Sequence, residues 1–247
     1  MRTFGLIGFP LGHSFSKKFF TEKFEQEGIE DCSYELFPME NINSINALIQ
    51  ETAMLRGLNI TIPHKVNVLA YLDELDDAAR TIGAVNCLSV EQKDGNRWLK
   101  GYNTDAFGFA ESLKPHLREH HSKALVLGDG GAAKAVKYVL DQLHISYLSV
   151  VRTAVPGAIL YEEITEELIA SHRLMINTTP LGTFPNVEGA PEIPYHLLTD
   201  QHLAYDLVYN PEETEFMRRA RAQGATVKNG LEMLQLQALR AWSIWNP

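Results

Sequence analysis

The sequence predicts an α/β protein of two parts, the later one a doubly wound parallel sheet. Three observations predict it. Short apolar runs alternate with amphipathic segments along almost all of the 247 residues, as when strands pair in parallel across helices. The run Lys123–Gly128 (KALVLG) leads straight into a glycine-rich turn and then a helical pattern. The last segment, Leu231–Trp245, is apolar nearly all round, the mark of a buried helix. It follows Gly230 directly and is expected to return to the first half.

In the first half, strands are expected over Thr3–Gly8, Ser33–Phe37, Gly57–Ile62, Ala84–Val90 and Trp98–Gly101. Between them Ser16–Gly28 reads as a helix, because Phe19, Phe20 and Phe24 recur at helical spacing and Gly28 stops it. Asn41–Glu51 and Val66–Leu75 carry similar patterns. Gly5, Gly8, Pro10 and Gly12 punctuate the apolar start, so it reads as a strand and loop rather than a signal peptide. A further helix begins near Gly101–Asp105, where the domain boundary is placed. The second half alternates regularly: strand Lys123–Gly128, helix Gly130–Leu143, strand Tyr147–Val151, helix Glu162–Ser171 and strand Arg173–Asn177. Strand Leu203–Val208, helix Pro211–Gln223 and strand Thr226–Lys228 follow. Ligands of such a sheet sit beyond the carboxyl ends of its strands.

At about 150 residues per domain the length is roughly 1.6 domains. Hydrophobic residues at 45% and charged residues at 21% fit a globular chain. Lys and Arg number 22 against 31 Asp and Glu, a formal net charge of −9. That argues against a nucleic-acid partner and leaves small anionic ligands open. Cys32 and Cys87 cannot make a disulfide framework or a four-Cys zinc site, and reduced thiols place the chain in the cytoplasm. No apolar run approaches the ~18 residues of a membrane span. His116 and His120 are four apart but lack the Glu of a zinc-binding helix, so no metal is expected.

Gly128-Asp129-Gly130-Gly131-Ala132-Ala133 fits the dinucleotide fingerprint, with Ala133 in the third place. Gly128 would permit the tight turn, and Gly130 would let the backbone approach a pyrophosphate at the helix N-terminus. The unit is therefore Rossmann-like, and Gly128, Gly130, Gly131 and Ala132 are its first cofactor residues. At the next strand end, where NAD sites carry an acid, stand Arg152 and Thr153. A guanidinium favours the 2′-phosphate of NADP over NAD; the plain alternative is a solvated surface Arg.

Polar residues cluster in the first half. Ser14 and Ser16 point the same way in an extended stretch, or cap the following helix, Ser16 most strongly. Asn59 and Thr61 share one strand face and need partners there. Lys65 opens a predicted helix against its macrodipole, although a surface Lys is the plainer reading. Asn86 interrupts an apolar strand, and Asp105 stands in a first helical turn. Gln237, among Met233, Leu236, Ala238 and Ala241, is either satisfied locally or turned to a ligand.

In this order the motifs resemble the shikimate dehydrogenase family over nearly the whole chain. Gly8-Phe9-Pro10-Leu11-Gly12-His13-Ser14-Phe15-Ser16 resembles its N-terminal substrate loop. Asn59-Ile60-Thr61-Ile62-Pro63-His64-Lys65 resembles its N-x-T-x-P-x-K signature. Gly83-Ala84-Val85-Asn86, Gly101-Tyr102-Asn103-Thr104-Asp105 and the glycine loop follow. Asn177-Thr178-Thr179-Pro180-Leu181-Gly182, Tyr205-Asp206-Leu207-Val208-Tyr209-Asn210-Pro211 and Asn229-Gly230-Leu231-Glu232-Met233-Leu234 complete the series.

The resemblance implies two domains around a cleft: residues 1–102 with 231–247 binding shikimate, and 103–230 as the Rossmann-like NADP domain. It implies substrate contacts from Ser14, Ser16, Asn59, Thr61, Lys65, Asn86, Asp105, Tyr209 and Gln237, with Lys65 and Asp105 as the catalytic pair. Asn177, Thr178, Leu207 and Gly230 join the cofactor residues. The implied reaction is NADPH-dependent reduction of 3-dehydroshikimate to shikimate, a step toward aromatic amino acids. Lys65 would supply the proton and Asp105 would hold its ammonium. As base in the reverse direction, Lys65 must first lose its proton, so shikimate oxidation is expected to quicken at alkaline pH. The implied partners are small molecules, and the implied assembly is a monomer or homodimer. Val151 stands where the family commonly has Asn, and Ala154, Val155 and Pro156 offer no second cation. That departure keeps open a quinate/shikimate dehydrogenase using NAD. A non-catalytic ligand sensor is the distant alternative, and it would be expected to lose Lys65 and Asp105.

Overall fold

The structure is a computed structural model describing residues 1–12 and 14–246. His13 of the N-terminal motif and Pro247 of the expected substrate domain lie outside the described residues. The chain forms two compact units, Met1–Thr104 with Ala238–Pro247, and Asp105–Gln237.

The first unit runs β1 (Arg2–Gly8), α1 (Phe15–Gln26), β2 (Cys32–Pro38), α2 (Ile45–Glu51), β3 (Leu55–Ile60), β4 (Glu74–Leu75), α3 (Asp77–Ile82), β5 (Cys87–Lys93) and β6 (Asn96–Tyr102). Its sheet has the order β2-β1-β3-β5-β6-β4. β1 pairs in parallel with β2 and β3, whereas β3-β5 and β5-β6 are antiparallel. The sheet is thus mixed rather than mostly parallel. Asp94 and Gly95 both take positive φ, 52° and 81°, and close the β5–β6 hairpin with the two-residue turn that suits strand twist. One face packs Ile7, Leu58, Ile60, Leu88 and Val90 with Ile45 and Ile49 of α2. The other packs Phe4, Leu6, Tyr34 and Cys87 against Phe20 and Phe24 of α1 and the end of the last helix. Gly57 is needed there, because a Cβ would enter the indole of Trp245, whose Nε1 donates to Leu88 O at 3.0 Å.

Two expectations for this unit fail locally. Val66–Leu75 is not one helix: Asn67–Tyr71 is a 3₁₀ turn and Glu74–Leu75 a strand. Asp73 explains the change, because its N–H donates to Leu99 O at 2.9 Å and its Oδ2 accepts from Leu99 N at 2.8 Å. Edge pairing with β6 outweighs helix pattern. The strand expected from Ala84 begins at Cys87, because Gly83 at φ +69° ends α3 and residues 84–86 form a connection.

The second unit contains α4 (Thr104–Leu113, from its second residue), β7 (Lys123–Leu127), α5 (Gly131–Gln142), β8 (Ser146–Val151), β9 (Ala158–Leu160), α6 (Glu166–Ser171), β10 (Leu174–Asn177), β11 (Leu203–Asp206), α7 (Glu215–Ala222) and β12 (Thr226–Lys228). The last helix, α8 (Leu231–Trp245), gives residues up to Gln237 to this unit and Ala238 onward to the first. The sheet order is β12-β11-β10-β7-β8-β9, and every pair is parallel. Strand order reverses between β7 and β10, which is the switch point where such sheets bind ligands. α6 and α7 start later than their sequence patterns because Thr165 and Thr214 cap them, accepting from Leu168 N and Met217 N.

Candidate active site

The glycine turn sits at the switch point, between β7 and α5. Gly128 has φ +103°, and a Cβ there would lie 2.8 Å from Thr178 Oγ1, so conformation and space both demand glycine. A Cβ on Gly130 or Gly131 would meet nothing within 4 Å, and Gly130 to Ala132 are exposed at the start of α5. Ala133 is fully buried, the small third residue that seats the helix on the sheet. An open backbone turn at a helix N-terminus suits a pyrophosphate, so these residues fit a dinucleotide. Asp129 would oppose that charge, but it pairs with Lys137 one turn and a half along α5.

Arg152 and Thr153 follow β8 and are exposed. At the neighbouring strand ends, Thr178 Oγ1 donates to Leu127 O at 2.8 Å, bridging β10 to β7. Leu207 N donates to Asn177 O at 3.0 Å. Asn177 Nδ2 donates to Asp206 Oδ1 at 2.9 Å, while its Oδ1 accepts from Thr179 N and Oγ1 at 3.0 and 2.6 Å. Asp206, missed by the sequence reading, also accepts from Val208 N at 3.0 Å and Thr214 Oγ1 at 2.6 Å. Burial pushes its carboxyl up to about 6, against those three hydrogen bonds. Gly230 packs on the Leu207 backbone so closely that a Cβ would collide with the carbonyl. Tyr209 is exposed. Gln237 is buried and donates from Nε2 to Leu234 O at 2.9 Å. Gly108 lets α4 approach this part of α8, because a Cβ there would meet Met233 O and lie 3.1 Å from Gln237 N.

In the first unit Ser14, not Ser16, is the α1 cap, accepting from Lys17 N at 3.3 Å. Asn59 is buried on β3, and Thr61 follows the strand, its N–H donating to Ile7 O at 2.9 Å. Gly8 makes room for the Thr61 methyl. Lys65 is half-buried, and its carbonyl accepts from Val85 N at 2.8 Å, which ties it to the connection carrying Asn86. Asn86 is 3% exposed. Its Oδ1 accepts from Thr104 N at 2.6 Å and Thr104 Oγ1 at 3.2 Å, so it caps the helix whose next residue is Asp105. Tyr34 was missed as well: its hydroxyl donates to Asn59 Oδ1 at 2.8 Å. Among the described residues no group of three or more His, Cys, Asp and Glu could hold a metal ion. None of the described helices is long and apolar enough to cross a membrane.

A Rossmann-type sheet with an open glycine turn, joined to a second α/β unit rich in hydroxyl and amide side chains, defines a dinucleotide-dependent oxidoreductase with its own substrate unit. Residues 6–88 match the family described as the shikimate dehydrogenase substrate binding domain. A shikimate dehydrogenase (NADP(+)) of Desulforamulus reducens is 36% identical over 265 residues, covering 98% of this chain and 88% of its relative. A shikimate 5-dehydrogenase of Thermus thermophilus, solved in complex with NADP(H) and shikimate, is 33% identical with a TM-score of 0.85. It covers all of this chain, and 94% of its own is matched. One from Listeria monocytogenes, solved with shikimate and NAD, is 27% identical with a TM-score of 0.86, over 99% of this chain and 91% of its own. The chain belongs to the shikimate dehydrogenase family.

Proposed function

We propose that this chain is an NADP-dependent oxidoreductase that interconverts 3-dehydroshikimate and shikimate. The observation that carries the cofactor half is the open turn at Gly130 and Gly131 beside the β7/β10 switch point. Family membership carries the substrate half. Gly128, Gly130, Gly131 and Ala132 would face the pyrophosphate, Arg152 and Thr153 the 2′-phosphate, and Asn177, Thr178, Leu207 and Gly230 the remainder. NADPH, when bound, supplies the hydride.

This chain's residues do the rest. Ser14 and Ser16 are neutral donors for the substrate carboxylate. Asn59, Thr61, Asn86 and Gln237 meet ring hydroxyls, and Tyr209 is a further substrate contact. A site built to bond hydroxyls rejects analogues that lack them. Lys65 delivers a proton to the oxygen that becomes the alcohol and stabilises its developing negative charge. Asp105 holds the Lys65 ammonium. By function, the substrate domain is assigned to 1–102 with 231–247 and the dinucleotide domain to 103–230, which differs from the compact units at 103–104 and 231–237. The two buried cysteines form no disulfide, which suits a reducing cytoplasm, and a monomer or homodimer is the expected assembly.

The test is a four-way assay of shikimate and quinate with NADP+ and NAD+. The highest kcat/KM is expected for shikimate with NADP+. Lys65→Ala should lower kcat by about 10²–10⁴, and Ser16→Ala should mainly raise the shikimate KM. Near wild-type turnover in Lys65→Ala overturns the catalytic assignment. One observation favours a second reading, an NAD-using quinate/shikimate dehydrogenase: Arg152 is the sole cation between Val151 and Leu160. Higher kcat/KM with NAD+ would establish it.

A further inference from the structure

Tyr34 lies on β2, 3% exposed, with its ring stacked on Phe20 of α1 at 4.6 Å. Packing alone would be served by a phenylalanine, since an unpartnered buried hydroxyl is costly. The Tyr34 hydroxyl has specific partners. It reaches across β1, which separates β2 from β3, and donates to Asn59 Oδ1 at 2.8 Å. Ser16 of α1 lies near the same phenol. Burial raises the phenol well above its ordinary range, so the proton stays on Tyr34 and the donation persists at working pH.

A carboxamide has two ends of nearly equal shape, and its neighbours decide which way it faces. Tyr34 offers a single proton and therefore selects the oxygen end of Asn59. The nitrogen end donates to Asn86 O at 3.4 Å. With both ends tethered, Asn59 has one N–H and one lone pair left, in a fixed arrangement.

We propose that Tyr34 is a positioning residue of the substrate unit: its hydroxyl fixes the direction of the Asn59 amide, beside Ser16, and so sets which hydroxyl pattern the site accepts. The proposal rests on the reading above, in which Asn59 and Ser16 meet substrate. Without the phenol, a buried acceptor on Asn59 loses its donor and the amide is free to turn over.

Tyr34→Phe tests it while keeping the ring and its stacking on Phe20. The shikimate KM should rise roughly tenfold, the worth of about one hydrogen bond. The kcat should stay within about twofold, and the NADP+ KM should be unchanged. A merely structural role would lower the melting temperature without separating the two KM values. In an Asn59→Ser background, Tyr34→Phe should add no further rise, since the group it orients is gone. Ser16→Ala is measured alongside. If it raises the shikimate KM and Tyr34→Phe does not, the Tyr34 proposal is overturned and the site reading stands. An equal effect of Tyr34→Phe with and without Asn59 also overturns it. If Ser16→Ala and Asn59→Ser both leave the shikimate KM unchanged, the site reading itself falls, and the proposal with it.

Discussion

Asn86 caps a helix 18 residues away: its Oδ1 accepts the Thr104 N–H at 2.6 Å. The bond joins the connection before β5 to the first turn of α4, so a buried amide fixes where the helix bearing Asp105 begins. Its Nδ2 donates to Thr104 Oγ1 at 3.0 Å.

Removing that cap has a definite cost. Asn86→Ala removes the side-chain acceptor of the buried Thr104 N–H, a loss of about 1–3 kcal/mol. Urea melts should show it. Turnover should fall as well, because Asp105 loses its fixed place, and an unaltered kcat would show that the cap does not serve the reaction.

Gly230 is proposed as a cofactor residue. A Cβ at 230 meets the Leu207 carbonyl, so Gly230→Ala must displace one backbone or the other, typically costing about 1–3 kcal/mol. The NADP+ KM should rise more than the shikimate KM. Equal rises would separate Leu207 and Gly230 from the cofactor.

The Asp129–Lys137 pair makes a charge prediction. Lys137→Ala exposes an unbalanced carboxylate beside the proposed pyrophosphate site. The pair is partly solvated, so the NADP+ KM should rise only about two- to fivefold. Adding Asp129→Asn should restore it, and raising the salt concentration should shrink the difference.

Asp206 gives stability a pH dependence. Its folded-state carboxyl is raised to about 6 by burial, so protonation favours the folded chain. The contribution is fully present below the ordinary carboxyl range near 4 and is lost as pH rises through about 6, amounting to roughly 3 kcal/mol. Asp206→Asn should remove this component. Urea melts at pH 4 and pH 7 on both proteins isolate it as a difference of differences, and an identical slope in the variant would refute the assignment.

Local chemistry made parts of the candidate site legible. The turn at Gly128–Ala133 could be read because a strand, a glycine φ and a helix N-terminus are neighbours in sequence. Ser14, Asn59, Thr61, Lys65, Asn86 and Asp105 stood out because polar groups interrupt apolar or capped patterns. The Asp94-Gly95 hairpin was readable in principle, since that dipeptide between strands is a turn signal; the missed signal made the first sheet look more parallel than it is.

Other features depended on partners distant in the chain. Val66–Leu75 has a helical pattern, yet Asp73 pairs with Leu99 and the segment becomes an edge of the sheet. Asp206 reads as a strand-end acid until Asn177, Val208 and Thr214 surround it. Tyr34 reads as one more apolar strand residue until β1 sets it across from Asn59. The sequence by itself determined the fold class, the family and the glycine turn, because those rest on periodicity and contiguous motifs. Only the tertiary structure decided which buried polar groups hold one another, because a hydrogen bond between strands depends on register and sheet order, which no local pattern encodes.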